Sequence, residues 1–496
     1  MLSHLPILPI LIPVVTAALL LFPYFGQQAQ ARRWLSGAGF IATLVATIWL
    51  AIAVMANSQI YALGDWPSPF GIVLVADPLA AVFVVLTTLL MVGGWLFSCG
   101  REDTQEPFFQ ALLHFLLMGV NGAFLTGDLF NLFVFFEVLL ISSYGLLIHG
   151  GGKNRIRAAL HYVLLNLVGS ALFLLALALL YSQLGSLQIA DMGMRVAQLP
   201  ESQQWLVQSA GGLLLVVFGL KAAMLPFHFW LPSAYSQASP LVACVFSVMT
   251  KVGIYSLFRV FTQLFSADAG GLAGFGQSLM VIAGLATMSI ACLLLLAASD
   301  LRRIAAALVL LSAGTLLCLV GVGMVSADIA LLYYAVHSTL AGGALFLLAD
   351  IIAAQRGNLA DRVARGRRLQ YQTATGWAFA ILAIALVGMP PLSGFIGKIQ
   401  LLQAVAGSPW QAAIWSVLLL GSLIVLIVLS RTGSTIFWRL LPGQSTGNAV
   451  SKWHWAGLAW LLVSLLSLVV IAEPLLQYFT QAATDFSSPL RQVHGG

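Results

Sequence analysis

Three lysines lie in apolar stretches of the sequence, where charged side chains are costly. Lys221, Lys251 and Lys398 have mainly apolar neighbours, although the chain has only five lysines in total. Arginine falls in polar segments, and Arg259, near the end of an apolar run, is the closest exception. Arginine stays protonated, whereas a buried lysine can release its proton because burial lowers its pKa by several units. This distribution indicates that the three lysines exchange protons.

A lysine near a helix end can instead extend its ammonium group to the membrane surface. Lys251 lies about ten residues, or ~15 Å, from either end of the apolar stretch 241–262, so this alternative fits it poorly. It fits Lys398 better, because the depth of Lys398 depends on how the stretch 373–405 breaks. Charges inside the membrane generally mark functional sites.

Glu137 is the only acidic residue deep in an apolar stretch, about eight residues (~12 Å) into 129–148. A lone buried carboxylate is strongly unfavourable unless it is protonated or paired, and Lys221 is the predicted partner. Such a pair has two states: both groups are charged, or a proton moves between them and both are neutral. This suits a proton relay. The alternative is a static ion pair that joins two helices, which is a weak source of stability.

Histidines are further candidates, because an imidazole can pass a proton along water near neutral pH. His228 follows Lys221 by seven residues, about two turns, and would share its face if the helix stayed regular. His337 lies in the middle of an apolar stretch. A histidine hydrogen-bonded inside the core is the alternative for each. Weaker candidates of the same type are His114 and His161.

Composition assigns the whole chain to the membrane. Of its 496 residues, 60% are hydrophobic and 8% are charged, against about 25% charged in a globular protein. Such a chain is predicted to be an all-α polytopic membrane protein. The net charge of +6 is too dilute to indicate nucleic-acid binding. No P-loop motif is present to indicate ATP hydrolysis, and no cofactor or metal site is expected.

About fourteen apolar stretches are long enough to cross a bilayer, each with about 20 residues. The twelfth is too long for one straight helix and contains a Gly-Met-Pro-Pro-Leu-Ser-Gly segment at 388–394, which must break it. The seventh is followed by two prolines, so its end is also irregular. The predicted spans are 6–24, 34–55, 76–98, 108–126, 129–148, 158–182, 208–230, 241–262, 274–298, 303–324, 328–349, 373–405, 412–437 and 453–478.

Loop charges predict the orientation. Sixteen of the 22 lysines and arginines follow odd-numbered spans, and only Arg195, Arg259 and Arg491 lie on the other side. The other three are the lysines inside the spans. The excess of cations marks the cytoplasmic side. Both termini are therefore predicted to lie outside the cytoplasm, in the inner (cytoplasmic) membrane of a bacterium.

The two irregular spans divide the chain into halves. Spans 4–8 (108–262) and 9–13 (274–437) each have five helices, and the broken helix is the fourth in both. A shift of five spans reverses direction, so the halves would be inverted repeats, a transporter signature. The other predicted units are three N-terminal helices in 1–107 and the last helix and tail in 453–496.

Two segments around these residues carry a specific resemblance. They are 128–146 (DLFNLFVFFEVLLISSYGL) and 221–235 (KAAMLPFHFWLPSAY). With Lys251 and Lys398, they resemble the antiporter-type subunits shared by respiratory NADH:quinone oxidoreductase, membrane hydrogenases and multisubunit cation/proton antiporters. The resemblance covers nearly the whole chain and is strongest to the D-type subunits of Mrp/Pha antiporters.

The resemblance implies fourteen helices, a proton path along the midplane and assembly with other membrane subunits. The path would contain Glu137, Lys221, Lys251, His337 and Lys398. Residues 304–318 depart from the pattern: relatives often have a polar His or Gln there, whereas Ser312 and Thr315 are the only polar side chains here. Proton transfer in that region would depend on water.

Two functions fit this path. The first is a proton-translocating subunit of a multisubunit Na⁺ or K⁺/proton antiporter, a secondary transporter and not an enzyme. The second is a proton-pumping membrane subunit of a quinone oxidoreductase or membrane hydrogenase complex. The amino-acid sequence of the segments around Glu137 and Lys221 favours the antiporter. The expected partners are other membrane subunits of the complex, protons with Na⁺ or K⁺, and the lipid bilayer, but no nucleic acid.

Overall fold

The computed structural model describes residues 2–22, 28–66, 71–100, 108–444 and 447–487. Arg101 and Arg491, two of the cations counted above, and residues 488–496 of the predicted C-terminal tail lie outside this part of the chain. The first helices are α1 (Leu8–Leu20), α2 (Ala29–Ala53), α3 (Pro78–Ser98), α4 (Phe109–Leu125), α5 (Leu129–Ile148), α6 (Lys153–Leu184), α7 (Ile189–Ala197), α8 (Glu201–Lys221), α9 (Trp230–Gln237) and α10 (Pro240–Phe246). The remaining helices are α11 (Met249–Leu264), α12 (Gln277–Ala297), α13 (Leu301–Val322), α14 (Val325–Arg356), α15 (Gln372–Val387), α16 (Ser393–Ala404), α17 (Gln411–Gly433), α18 (Lys452–Val470) and α19 (Ala472–Ser487).

The prediction of a mainly helical, polytopic membrane protein is confirmed. Within the described residues, 11 helices are long and apolar enough to cross a membrane. Three shorter apolar helices, His4–Leu20, Phe109–Leu125 and Gln372–Val387, overlap the first, fourth and twelfth predicted spans.

Aspartates begin three of the long helices. Asp77, Asp128 and Asp300 precede α3, α5 and α13, and each carboxylate accepts a hydrogen bond from the backbone N–H three residues later, at 2.8–2.9 Å. These side chains satisfy N–H groups that have no partner inside the helix. They therefore set where these helices start.

Two helices break at the predicted prolines. Helix α8 ends at Lys221, and α9 begins only at Trp230. Helix α15 ends at Val387 and α16 begins at Ser393, with Gly388 between them at φ +82°. A side chain at position 388 would be strained at this φ, which glycine adopts freely. Each break leaves carbonyl groups at a helix end without a partner inside their own helix.

Two further interruptions were not predicted. The eighth predicted span divides into α10 and α11 at residues 247–248, and the backbone N–H of Lys251 bonds to the Val248 carbonyl three residues earlier. The last span, predicted as 453–478, divides at Ile471 into α18 and α19. The first site contains no proline or glycine, whereas Pro474, in the first turn of α19, is a sequence signal for the second interruption.

The most enclosed helices lie at the centre of the molecule. The most apolar windows of Pro240–Leu264 and Leu301–Val322 are 100% buried, whereas those of Gln411–Trp438 and Lys452–Val470 are 33% and 28% buried. Helices α11, α13 and α14 therefore form a core whose polar side chains are removed from lipid. Two small sheets join loops outside it: the antiparallel pair Gln59–Ala62 (β1) and Val73–Ala76 (β2), with Gln59 opposite Ala76, and the parallel pair Arg367–Arg368 (β3) and Leu441–Gln444 (β4).

The helix pair α5–α6 has a counterpart in α13–α14. Helices α13 and α14 begin 172 residues after α5 and α6 (301 − 129 and 325 − 153). Helices α6 and α14 both have 32 residues. Asp128 pairs with Gln188 in an isolated antiparallel bridge, and Asp300 pairs with Arg362 in the same way. In both cases the aspartate before one helix meets the segment that follows the 32-residue helix.

Candidate functional site

Glu137 lies on α5 and faces α6. Its side chain is only partly buried, and it accepts a hydrogen bond from the Ser170 hydroxyl. Ser170 is itself 8% exposed. The carboxylate thus lies at the edge of the single chain and is held by a neutral hydroxyl group.

Lys221 is the last residue of α8 and is buried, with 6% exposure. Its Nζ donates a hydrogen bond to Asn166 Oδ1 at 2.9 Å and lies 5.6 Å from the centroid of the Phe136 ring. Asn166 and Ser170 are four residues apart on α6, and residues at this spacing are neighbours on one helix face. The predicted Glu137–Lys221 ion pair is not in direct contact. Instead, one face of α6 holds both groups.

The end of α8 packs tightly against α11. A Cβ atom on Gly253 would lie 2.5 Å from the Ala222 backbone nitrogen and 2.8 Å from the Lys221 carbonyl carbon. Only glycine permits this approach of the two backbones. It brings the helix of Lys251 directly against the end of the helix of Lys221.

Lys251 is fully buried on α11. Its Nζ donates to Ser312 Oγ on α13 at 3.0 Å, and Ser312 in turn donates to the Val309 carbonyl at 2.8 Å. No acidic side chain contacts this ammonium within the described residues. Its partner is one of the two polar side chains that remain in the apolar segment 304–318.

His337 and Lys398 lie on either side of the second break. His337 Nδ1 is 2.9 Å from the Ser393 hydroxyl, at the start of α16. Lys398 donates to the Val387 carbonyl at 2.6 Å and to the Ser422 hydroxyl at 2.7 Å. Because Val387 ends α15, this ammonium binds a carbonyl at the negative end of a helix. Lys221 likewise lies at the C-terminal end of a helix that breaks.

A small internal cavity joins these groups. Its volume is about 20 Å³, and its polar lining side chains are Ser312, Thr315, Tyr334, His337, Ser338, Lys398 and Ser422. A cavity needs about 10–15 Å³ to hold a water molecule. The partner of Lys251 therefore shares a water-sized space with the last two predicted members of the path.

The remaining histidines lie apart from this series. His228 is partly buried in the break after α8, and no hydrogen bond joins it to Lys221 among the residues described. His114 is buried, 3.1 Å from the Ser36 hydroxyl and stacked on Phe40 at 4.0 Å. His161 is exposed.

Sequence reasoning missed the neutral side chains that hold the charged ones. They are Asn166, Ser170, Ser393 and Ser422. Serines in apolar stretches are common, so nothing distinguished these four before their partners were known. It also missed the buried pair Asp77–Arg259, whose members are 182 residues apart and 2.7 Å from each other. The sequence signal for this pair was one acidic and one basic residue, each at the end of an apolar stretch.

The chain is similar to curated antiporter subunits over its whole length. It is 39% identical to the D-type subunit of a probable K⁺/H⁺ antiporter of Rhizobium meliloti (strain 1021), with 99% of this chain and 96% of that protein covered. It is 36% identical to the D-type subunit of a Na⁺/H⁺ antiporter of Bacillus subtilis (strain 168), with 87% and 86% covered.

A solved structure and a family comparison agree with these similarities. A chain of the Mrp complex from Dietzia sp. DQ12-45-1b has a TM-score of 0.89 and 26% identity, and 99% of each chain is covered. Residues 126–427, more than half of the chain, match the family described as NADH:quinone oxidoreductase/Mrp antiporter, TM. This segment includes every candidate residue from Glu137 to Lys398, and the chain belongs to this family of membrane proteins.

Proposed function

We propose that this chain is the proton-translocating membrane subunit of a multisubunit Na⁺ or K⁺/proton antiporter. The observation that carries the proposal is the series of charged groups between α5 and α17, of which Lys221 and Lys251 are buried and Glu137 and Lys398 are partly buried. Each one is hydrogen-bonded to a neutral serine or asparagine or to a backbone carbonyl, with no direct opposite charge among the described residues. An ammonium without a fixed counter-ion changes its protonation state more easily than one in a tight ion pair.

The proposed order of proton transfer follows the contacts. Glu137 and Lys221 exchange a proton along the α6 face that holds Ser170 and Asn166. The close contact at Gly253 brings Lys221 and Lys251 onto adjacent backbones.

The second half of the path begins at Lys251, which contacts Ser312. Water in the 20 Å³ cavity then connects Ser312 with His337 and Lys398. His228 has a weaker place in this scheme, as a group at the break that can exchange protons with water.

We propose fourteen membrane crossings, with inverted repeats in spans 4–8 and 9–13. The 172-residue offset, the two 32-residue helices and the matching bridges at Asp128 and Asp300 support a repeat. The repeats correspond to residues 108–262 and 274–437, flanked by the N-terminal helices in 1–107 and the last helix and tail in 453–496. The loop charges support placing both termini outside the cytoplasm of a bacterium.

The partial exposure of Glu137 also supports assembly with other membrane subunits. Its carboxylate is partly exposed on the outer surface of the chain, beside Ile141, which is 65% exposed. A charged group facing lipid at mid-depth is costly. A neighbouring subunit that covers this face would remove that cost, as expected for a relative of subunits of the Mrp complex.

The family description also names NADH:quinone oxidoreductase, so a proton-pumping subunit of a redox complex is the second candidate. The curated relatives named as cation/proton antiporter subunits favour the first. The deciding experiment reconstitutes the complete assembly in liposomes and imposes Na⁺ or K⁺ gradients separately. Proton flux driven by either cation supports the antiporter. Flux that requires NADH or hydrogen oxidation, with no response to either gradient, overturns it.

A further inference from the structure

A second polar cavity lies at the far end of α11, away from the path described above. Its volume is about 70 Å³, and its polar lining side chains are Asp77, Gln188, Arg259, Gln263 and Asp485. At about 10–15 Å³ for each water, it has room for several water molecules. The elements that line it are β1, β2 and the ends of α11 and α19, together with the segment before α5 and the start of α7. The loop charges predict that all of them lie outside the cytoplasm.

Arg259 is the buried cation of this cavity. It is 4% exposed, and its Nη2 donates to both carboxylate oxygens of Asp77 at 2.7 Å. The guanidinium lies 5.2 Å from the Tyr255 ring and 5.3 Å from the Phe486 ring. Among the described residues, its Nε has no hydrogen-bond acceptor. A buried N–H without an acceptor costs free energy, and water in the adjacent cavity would satisfy it.

Helix α11 connects this cavity with the middle of the membrane. Lys251, Tyr255, Arg259 and Gln263 follow one another at intervals of four residues, so they form a stripe along one side of the helix. Lys251 lies at the inner end of the stripe, and Arg259 lies two turns, about 12 Å, further along. Gln263 lines the cavity, and Tyr255 lies on the stripe between Arg259 and Lys251.

Three aromatic rings pack together at the turn of α11 between Lys251 and Arg259. Phe83, Phe124 and Tyr255 contact one another with centroid distances of 5.0, 5.2 and 4.9 Å. The Tyr255 hydroxyl also donates to the Phe124 carbonyl at 2.5 Å. Tyr255 lies one turn of α11 from each of Lys251 and Arg259, and its hydroxyl is the only polar atom of the three side chains. The cluster is therefore mainly apolar.

We infer that the cavity beside Asp77 and Arg259 is the outer mouth of the proton path, and that the Phe83–Phe124–Tyr255 cluster is its gate to Lys251. The inference rests on the proposed proton translocation and names its access point. When the rings separate, water joins the cavity to Lys251, and the ammonium releases a proton to it or the amine accepts one from it. The charged lining of the mouth is two carboxylates, Asp77 and Asp485, and the one guanidinium of Arg259, and a proton can pass along the carboxylates and water.

The first test measures whether outside water reaches the cavity. The complete assembly with the Gln263→Cys substitution is prepared in right-side-out vesicles. The four native cysteines of this chain are buried. We expect a membrane-impermeant thiol reagent to label this variant from the outside. Asn154→Cys, an exposed position at the start of α6 on the predicted cytoplasmic side, should be labelled only in inverted vesicles. The inference is overturned if position 263 is not labelled, or if it is labelled only in inverted vesicles. Neither result would bear on cation/proton exchange itself.

The second test opens the gate. Phe83→Ala removes one ring, and we expect a proton leak at least fivefold above the wild-type level without any Na⁺ or K⁺ gradient. Adding Lys251→Ala should abolish the leak, because the path then lacks its inner acceptor. Phe83→Leu, which keeps most of the volume, serves if the alanine variant does not assemble.

Phe40→Leu is the matched control, since Phe40 is fully buried among the first helices and lies outside the path. A leak equal to that of Phe40→Leu, or a leak that persists without Lys251, contradicts the gate. A wild-type assembly with no cation-driven exchange would instead contradict the proposed function.

Discussion

Glu137 and Lys221 are held by one face of α6 and make no direct ion pair in the described structure. Ser170 donates to the carboxylate, and Asn166 accepts from the ammonium one turn away. A direct buried ion pair would favour the state in which both groups are charged, because each charge then compensates the other. Neutral partners allow either protonation state, so this arrangement favours proton transfer over a static link between helices.

We predict that Glu137→Gln abolishes cation-driven proton exchange while the subunit still inserts and assembles. Glutamine keeps the shape and a hydrogen-bond acceptor for Ser170 but cannot take up a proton. Proton flux in vesicles and subunit abundance by immunoblot measure the two effects. Glu201→Gln, at an exposed helix start, should exchange normally. Normal exchange by Glu137→Gln would remove this residue from the path.

We predict that Lys221→Ala and Lys221→Arg are similarly inactive and still assemble. The arginine keeps the positive charge but has a pKa above 12, so it does not release a proton. Proton flux in inverted vesicles tests this, with Lys153→Arg at an exposed position as the control. An active Lys221→Arg variant would show that the lysine is a fixed charge and not a proton carrier.

Asn166→Leu should lower the exchange rate about tenfold or more. A hydrogen bond to a charged group contributes about 1.5–3 kcal/mol, and a tenfold change corresponds to about 1.4 kcal/mol. Ser182→Ala, at an exposed position on the same helix, should leave the rate unchanged. If both variants exchange at the wild-type rate, α6 does not couple Glu137 to Lys221.

The Ser312 variant tests the connection beyond Lys251. We predict that Ser312→Ala slows exchange, and that the Ser312→Ala/Lys251→Ala double variant is no slower than Lys251→Ala alone. Residues that act through one contact give such non-additive effects. Lys251 variants should retain more activity than Lys221 variants, because one face of α6 joins Lys221 to Glu137, whereas Lys251 has no such link to a carboxylate among the described residues. Additive losses, measured as proton flux at equal abundance, would separate the two residues functionally. Ser289→Ala, on the exposed side of α12, is the control.

We predict that the purified single chain does not exchange cations in liposomes. Its buried polar groups are accounted for by the proposed proton path, and within the described residues no group of three or more His, Cys, Asp or Glu side chains could hold a metal ion. The complete assembly, reconstituted in parallel, is the positive control. Na⁺- or K⁺-dependent proton flux from the chain alone would place the cation route inside it.

Much of the architecture follows from the sequence because the membrane imposes a simple rule. A helix in lipid must satisfy its own backbone and present about 20 apolar residues, so length and hydropathy mark it directly. The predicted span 129–148 coincides with α5, and the prolines mark the breaks after Lys221 and Val387. The isolated charges Glu137, Lys221, Lys251 and Lys398 stand out for the same reason, since each is costly in that setting.

Only the tertiary structure decided what those charges contact. Asn166 and Lys221 are 55 residues apart, and Lys251 and Ser312 are 61 apart, so neither pair has a local sequence signature. The interruption at 247–248 and the pair Asp77–Arg259 likewise depend on which helices become neighbours. Hydropathy determines that a segment enters the membrane, but it does not determine which face meets which helix. That choice depends on packing over the whole core, where a glycine such as Gly253 lets two backbones approach and a neutral serine meets a buried ammonium.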